Sequence, residues 1–215
     1  GLSITTVSRA LDGYDDVALA TKKRVVEAAR ELNYQPNAAA RSLRKQRAET
    51  VAVVLPTDPG RIGPQHFLDM LFDAAKTLGE SGLDLMLLPA VGRGDELDTY
   101  RRMVDGRRAD AAIVVRTRVD DEHVKFLHER RIPFVAHGRT SGEITHAFVD
   151  GDGHRGFYDA ARALLDLGHR HIAHIAAPSI YMFARERRAG WRAALHDAGV
   201  GEDAQEASAE PNEAG

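Results

Sequence analysis

The chain has 215 residues, 43% of them hydrophobic and 28% charged, with no cysteine and a formal net charge of −3. That is enough apolar material to bury a core in one or two domains, and the lack of cysteine excludes disulfides and thiolate metal sites, which suits a reducing, cytoplasmic setting. No window approaches the roughly eighteen apolar residues of a membrane span, so no membrane partner is expected.

The net charge conceals an asymmetry. Residues 1–48 carry nine Lys/Arg against five Asp/Glu, while the remainder carries 20 against 27. A small basic head on an acidic body points to a nucleic-acid-binding end on a soluble domain. No basic start with an apolar centre marks a signal peptide, and Gly1 in place of methionine reads as the start of a fragment.

The first 48 residues give helical signals. Ser3 precedes ITTVSRAL, a short helix closed near Asp12-Gly13, and a second helix over Thr21 to Leu32 aligns Val25, Val26, Ala29 and Leu32 on one stripe. Pro36 opens a third, from Asn37 to about Lys45, where proline's fixed φ costs little. In the first of these, Ile4, Thr5, Ser8 and Arg9 project to one side while Val7, Ala10 and Leu11 can pack inward. A helix laid in a major groove needs small hydroxyls for phosphates and an arginine able to pair with guanine.

From Thr50 the pattern alternates between strands and helices. TVAVVLP, LDLMLLP, DAAIVV and IPFVAHG read as strands, separated by the helices HFLDMLFDAAKTLGESG, ELDTYRRMVDGR and DEHVKFLHERR. The strands are near-continuous apolar runs, as expected of a parallel sheet buried on both faces. After HAFVD come a helix from about His154 to Leu167, the strand HIAHIAA and a helix from about Ala184 to Ala198. The final GEDAQEASAEPNEAG, with five acids and no base, has room for one weak strand. Arg116 and Arg139 follow strand ends, where open α/β sheets place their ligands.

The order L2-S-I-T-T-V-S-R-A-L-D12 resembles the LacI/GalR family of transcription repressors, and the resemblance continues through T21-K-K-R-V-V-E-A-A-R-E-L-N-Y-Q-P-N37 and A40-R-S-L43. It implies an α/β protein: a partial helix-turn-helix head over residues 1–35, a hinge helix over 36–48, and a periplasmic-binding-protein-like effector domain. That domain would have its N-terminal lobe over 49–150 and part of its C-terminal lobe over 151–215. By position Ile4, Thr5 and Arg9 would face base edges, and Ser3, Thr6 and Ser8 would hold phosphates. In the hinge, from Asn37 and Ala40 onward, Leu43 would wedge into the minor groove with Arg41, Arg44 and Lys45 near the backbone. Two departures stand out: Ala18 replaces the usual hydroxyl N-cap, at a cost of roughly 1 kcal/mol, and the family's first helix, about fifteen residues, has no counterpart before Gly1.

PFVAHGR139, V149-D-G-D152, L167-G-H-R-H-I-A173 and R187-R-A-G-W191 carry the resemblance through the body. It implies that Arg187 reaches the effector, that Asp152 lies near the switch between lobes, and that Phe67 lines the cleft. An arginine for vicinal hydroxyls and an aromatic for an apolar sugar face suit a carbohydrate, with Phe183 or Tyr181 serving either as that wall or as core. The expected partners are double-stranded operator DNA, a small-molecule effector (a sugar ahead of a nucleobase) and a second copy of the chain. No cofactor is expected.

A competing motif is G151-D-G-H-R-G156, a G-x-G-x-x-G between an apolar stretch and a helix. It would make the chain an NAD-dependent oxidoreductase, and the alternative reading as a whole is a stand-alone sugar-binding or NAD-dependent oxidoreductase domain with a basic tail. The next strand ends AAPS without the acid that holds a ribose, and no catalytic motif accompanies it. The histidines of GHRHIAH also lack a closing ligand set, so no metal site is expected.

Overall fold

A computed structural model describes residues 1–34, 47–56, 65–90, 95–200 and 205–208. The chain divides into two compact units, Gly1–Arg47 and Ala48–Gly215.

In the first unit, α1 (Ile4–Leu11) starts where Ser3 Oγ accepts the Thr6 backbone N–H at 3.1 Å, and stops at Asp12 before Gly13, whose φ of 78° turns the chain. α2 (Leu19–Glu31) begins at Ala18 with no side-chain cap, as its sequence implies. Ala10, Val17 and Val25 form the core of this unit, with Val7 and Leu11 against them. The expected α2 stripe is only partly used. Val25 is buried, but Val26 and Leu32 stay exposed, because α1 and the turn after it cover just one edge of α2. The hinge, including Asn37, Ala40, Arg41, Leu43 and Arg44, lies outside the described residues.

The second unit is built on a five-stranded parallel sheet of order β2-β1-β3-β4-β5, formed by β1 (Thr50–Pro56), β2 (Asp84–Ala90), β3 (Ala111–Val115), β4 (Phe134–His137) and β5 (Ala147–Val149). Its helices are α3 (Gln65–Glu80), α4 (Asp95–Asp105) and α5 (Glu122–Glu129). The apolar runs are buried on both faces, since successive strand residues point to opposite sides. Ala52, Val54, Ala112 and Val114 pack with Tyr100 and Met103 of α4 and Val124 and Leu127 of α5, whereas Val53 and Val115 pack with Leu71 of α3. The edge strands are the exceptions: β2 exposes Asp84, Leu87 and Pro89, and β5 is exposed throughout.

Beyond the sheet, α6 (Gly153–Asp166) and α7 (Met182–Asp197) pack together around Ala161, Leu165, Trp191, Ala194 and Leu195. Their approach is close: a Cβ on Gly190 would stand 1.9 Å from the His154 carbonyl oxygen. β6 (His174–Ala176) and β7 (Glu206–Ser208) form a separate parallel pair. The strand expected over HIAHIAA shortens to three residues because its partner offers only three. The helix expected from Ala184 begins two residues earlier, at Met182, and Gly168, φ 95°, closes the turn after α6.

The two halves of this unit are stitched by main chain. Arg118 bridges Tyr181 antiparallel, Val119 N–H donates to Ile180 O at 2.9 Å, and Met182 N–H donates to Thr117 O at 3.1 Å. The segment after β3 is thereby tied to the residues that open α7.

Candidate ligand-binding site and DNA-facing helix

The stitch brings the residue after β3 against the start of α7. Arg116 stands at φ 55°, a left-handed conformation that residues other than glycine seldom adopt. Its Nη2 donates to Tyr181 Oη at 2.6 Å, and its Cζ lies 4.8 Å from the centre of the Tyr181 ring. The Tyr181 and Phe183 rings stack at 5.5 Å and 14°. One helical turn further on, Arg187 places its guanidinium 4.9 Å from the Phe183 centroid and 5.4 Å from that of Phe157 on α6. Arg116, Tyr181, Phe183 and Arg187 thus form a continuous ladder of two cations and two rings. Arg187 is exposed and has no carboxylate partner among the described residues, so its donors can face a ligand.

The other expected effector residues divide. Phe67 packs with Val53, Leu71 and Val115, under the strand end that carries Arg116. Arg139 is held by Asp150, which accepts from its Nε at 2.9 Å and its N–H at 3.2 Å, and it lies over Phe148. Neither Asp150 nor Phe148 belongs to the ladder. Asp152 caps α6 by accepting the Arg155 N–H at 2.8 Å, a structural task that the G-x-G-x-x-G reading does not anticipate. That motif's other requirement fails too, because β6 ends at Ala176 and Ala177-Pro178-Ser179 follow, with no acid.

Beneath the ladder lies a small polar recess lined by Val54, Glu96, Tyr100, Val115, Arg116, His123 and Tyr181. Asp121 anchors it. Its carboxylate caps α5 by accepting from His123 N and Val124 N, and it also accepts the Arg118 N–H at 2.8 Å. Burial alone would raise its pKa, but the His123 ring and these N–H donors outweigh that and hold it below the usual carboxylate range. Tyr100, buried in the core and next to Asp121 and Glu96, has its phenol pushed far above its ordinary value, desolvation being the main cause, so it keeps its proton. Sequence reasoning missed Glu96, Tyr100 and His123. The one available signal was the acid run D120-D-E-H123, which opens α5 as a cap.

In the first unit, Ile4 and Thr5 are exposed at the start of α1, with Ile4 89% accessible. Thr6, Ser8 and Arg9 are half-buried. Ser3 spends its hydroxyl on Thr6, and Arg9 pairs with Asp16 and lies 4.9 Å over the Tyr14 ring. To reach a base edge Arg9 must therefore exchange the Asp16 pair for a nucleic-acid partner.

Among the described residues no helix is long and apolar enough to cross a membrane, and no group of His, Cys, Asp or Glu could hold a metal ion. Comparison with known proteins agrees with the arrangement of a helical head and an α/β body. Residues 1–37 match the family described as bacterial regulatory proteins, lacI family, and residues 39–211 match periplasmic binding proteins and sugar binding domain of LacI family. The chain is 40% identical over 204 residues to the HTH-type transcriptional regulator AglR of Rhizobium meliloti, covering 94% of this chain and 57% of that protein. It is 36% identical over 200 residues to the HTH-type transcriptional regulator RafR of Escherichia coli, covering 93% and 59% respectively. Among solved structures, the transcriptional regulator CelR-cellobiose complex superposes with a TM-score of 0.68 at 29% identity, over 98% of this chain and 63% of that one. The chain therefore spans about three-fifths of the length of the regulators it matches. A head closed on Ala10, Val17 and Val25, a parallel body and matches running from residue 1 to residue 211 lead to one conclusion: the chain belongs to the LacI family of bacterial regulatory proteins.

Proposed function

We propose that this chain is the operator-binding and effector-binding part of a cytoplasmic, homodimeric transcription regulator, a repressor with no enzymatic activity, whose effector is a neutral sugar. The observation that carries the effector reading is the ladder of Arg116, Tyr181, Phe183 and Arg187. A guanidinium donates in pairs to vicinal hydroxyls, and the half-exposed Phe183 ring offers an apolar wall beside it. The cellobiose held by CelR supports the same ligand class.

On this reading residues 1–35 are the DNA-binding head, 36–48 the hinge, and 49–150 and 151–215 parts of the two lobes. Arg116 belongs to the sheet lobe and Arg187 to α7 of the other, so a ligand gripped by both has a higher affinity for one spacing of the lobes than for others. That differential affinity is what a ligand needs to shift a conformational equilibrium, and linkage makes DNA alter sugar affinity in return. Ile4, Thr5 and Arg9 read base edges, and Leu43 enters the minor groove between phosphates contacted by Arg41 and Arg44.

Two measurements on the full-length protein test the reading. A thermal-shift panel of cellobiose, other neutral oligosaccharides, sugar phosphates and purines should single out neutral sugars. Binding to duplex DNA, titrated against salt, should be sequence-selective and steeply salt-dependent, and Leu43→Ala should weaken it and reduce the bend while leaving sugar binding intact. Equal affinity for every duplex would defeat the DNA reading.

A further inference from the structure

We propose that Phe157, on α6, is a positioning residue of the effector site: its ring holds the Arg187 guanidinium in place while leaving the N–H donors of that group open to the ligand. The proposal rests on the effector reading and deepens it, by adding a residue that acts through Arg187 rather than on the ligand.

An arginine has a long stem with many rotamers, and a flexible one gives them up when it grips a ligand. A carboxylate or carbonyl partner would order it beforehand but would occupy the same N–H groups that a sugar needs. The neighbours of Arg187 on α7 show that outcome. Arg185 Nε donates to the Ser179 carbonyl at 2.9 Å, and Arg188 Nε donates to Glu206 Oε2 at 2.6 Å. An aromatic face instead attracts the cation through its π cloud, so the in-plane donors stay free.

Arg187 is held in this second way, from two helices. Phe183 precedes it by one turn of α7, with its centroid 4.9 Å from the guanidinium carbon, and Phe157 reaches it from α6 at 5.4 Å. Both lie within the ~6 Å over which a ring attracts a cation. The stem is also guided by α6: Gly153, one turn before Phe157 on the same face, lies so close that a Cβ there would stand 3.4 Å from Arg187 Cγ. The two rings differ in what stands behind them. Phe183 stacks on Tyr181 in the ladder, whereas Phe157 is backed by the interior. It meets the His174 ring edge-on at 5.4 Å and 63°, His174 in turn meets Trp191 at 5.1 Å, and Phe157 packs against the core around Leu165 and Trp191. Phe157 therefore ties the guanidinium to the buried core of the helix pair.

The test uses the full-length protein and two readings. The first needs no ligand. NMR of the Arg187 side chain, assigned through Arg187→Lys, should show its Nε–H and Cδ protons displaced by ring currents. Phe157→Leu should remove part of that displacement and Phe157→Tyr should keep it. An Arg187 signal that is the same in Phe157→Leu as in the wild type overturns the proposal. The second reading is affinity by isothermal titration, with cellobiose first and other neutral oligosaccharides after it. Phe157→Leu should bind about fivefold more weakly, as expected when one long side chain must be ordered on binding. Phe157→Tyr, which keeps the π face, should stay within about twofold of the wild type. Because leucine also disturbs the core, Leu165→Ala is the control. About two turns further along α6, it damages the same core and keeps the ring, so Tm should fall while affinity and the Arg187 signal are preserved. Unchanged affinity in Phe157→Leu refutes the positioning role. So does an equal loss in Leu165→Ala, or a failure of tyrosine to rescue, since the effect then belongs to packing. If no neutral sugar binds the wild type, the effector reading falls, and the Arg187 signal still decides whether Phe157 holds the guanidinium.

Discussion

Replacing Gly190 by alanine tests how the ladder is positioned, because the packing and the helix propensity of the new residue pull in opposite directions. In an exposed helix the change would stabilise by about 1 kcal/mol. Here the new Cβ would stand 1.9 Å from the His154 carbonyl oxygen and 2.8 Å from its carbon, both main-chain atoms. Contacts under 3.0 Å essentially do not occur, so α6 and α7 must separate by more than 1 Å at this point. That opens the core of Leu165, Trp191 and Leu195, and overpacking of this kind costs about 3 kcal/mol at its usual upper end. Net of propensity, Gly190→Ala should lose about 2 kcal/mol, or roughly 4–8 °C in Tm for a domain of this size. Trp191, the sole tryptophan and 3% exposed, reports the transition by fluorescence. Gly156→Ala on α6, where an added Cβ meets nothing within 4 Å, is the control and should raise stability by about 0.5–1 kcal/mol. If both variants gain stability, the close approach of the helices is wrong.

Further tests address the head, the pocket and pH. Ala18→Ser supplies the missing N-cap of α2 and should stabilise the head by about 1 kcal/mol, read from thermal unfolding; no gain would mean that the first turn is already satisfied another way. Arg187→Ala should remove sugar binding while shifting Tm little, because the guanidinium is exposed and its contacts are cation–π; isothermal titration that finds unchanged affinity would break the ladder assignment. His174 is buried between Phe157 and Trp191, and burial, reinforced by Arg188 and Arg187 against the opposing Glu206, lowers its pKa below the ordinary histidine value. The fold therefore favours the neutral ring. Its contribution is complete above about pH 6.5 and declines as pH falls below that value toward the lowered one. Urea midpoints should fall between pH 7.5 and 5.5, and His174→Leu should flatten the slope.

The body was legible because strands with both faces covered must be apolar throughout, and TVAVVLP and DAAIVV are. Ser3 and Gly13 announce the ends of α1 through local capping chemistry that needs no tertiary context. Arg116 and Arg187 were nominated singly, one from its place after a strand and the other from the family pattern. Their connection was hidden, since Tyr181 is 65 residues from Arg116 and meets it only through the main-chain stitch. The recess was harder still. Glu96, Tyr100 and His123 come from two helices separated by a strand, and each alone reads as an ordinary surface or core residue. Arg139, nominated by its place after a strand, and Asp152, nominated by the family pattern, are each engaged by a near polar group, Asp150 for one and the α6 N-terminus for the other, contacts that no sequence pattern announces.

Arg116 carries a consequence for anyone who evolves this protein in the laboratory. At φ 55° its backbone would be more comfortable as glycine or asparagine. If Arg116 grips the effector as proposed, a library selected only for thermal resistance should drift toward those residues at position 116 and lose its response to the effector. A library selected for response to sugar should retain the arginine and forgo that gain. The two selections would diverge at a single codon, and sequencing their survivors would reveal the trade without a binding measurement.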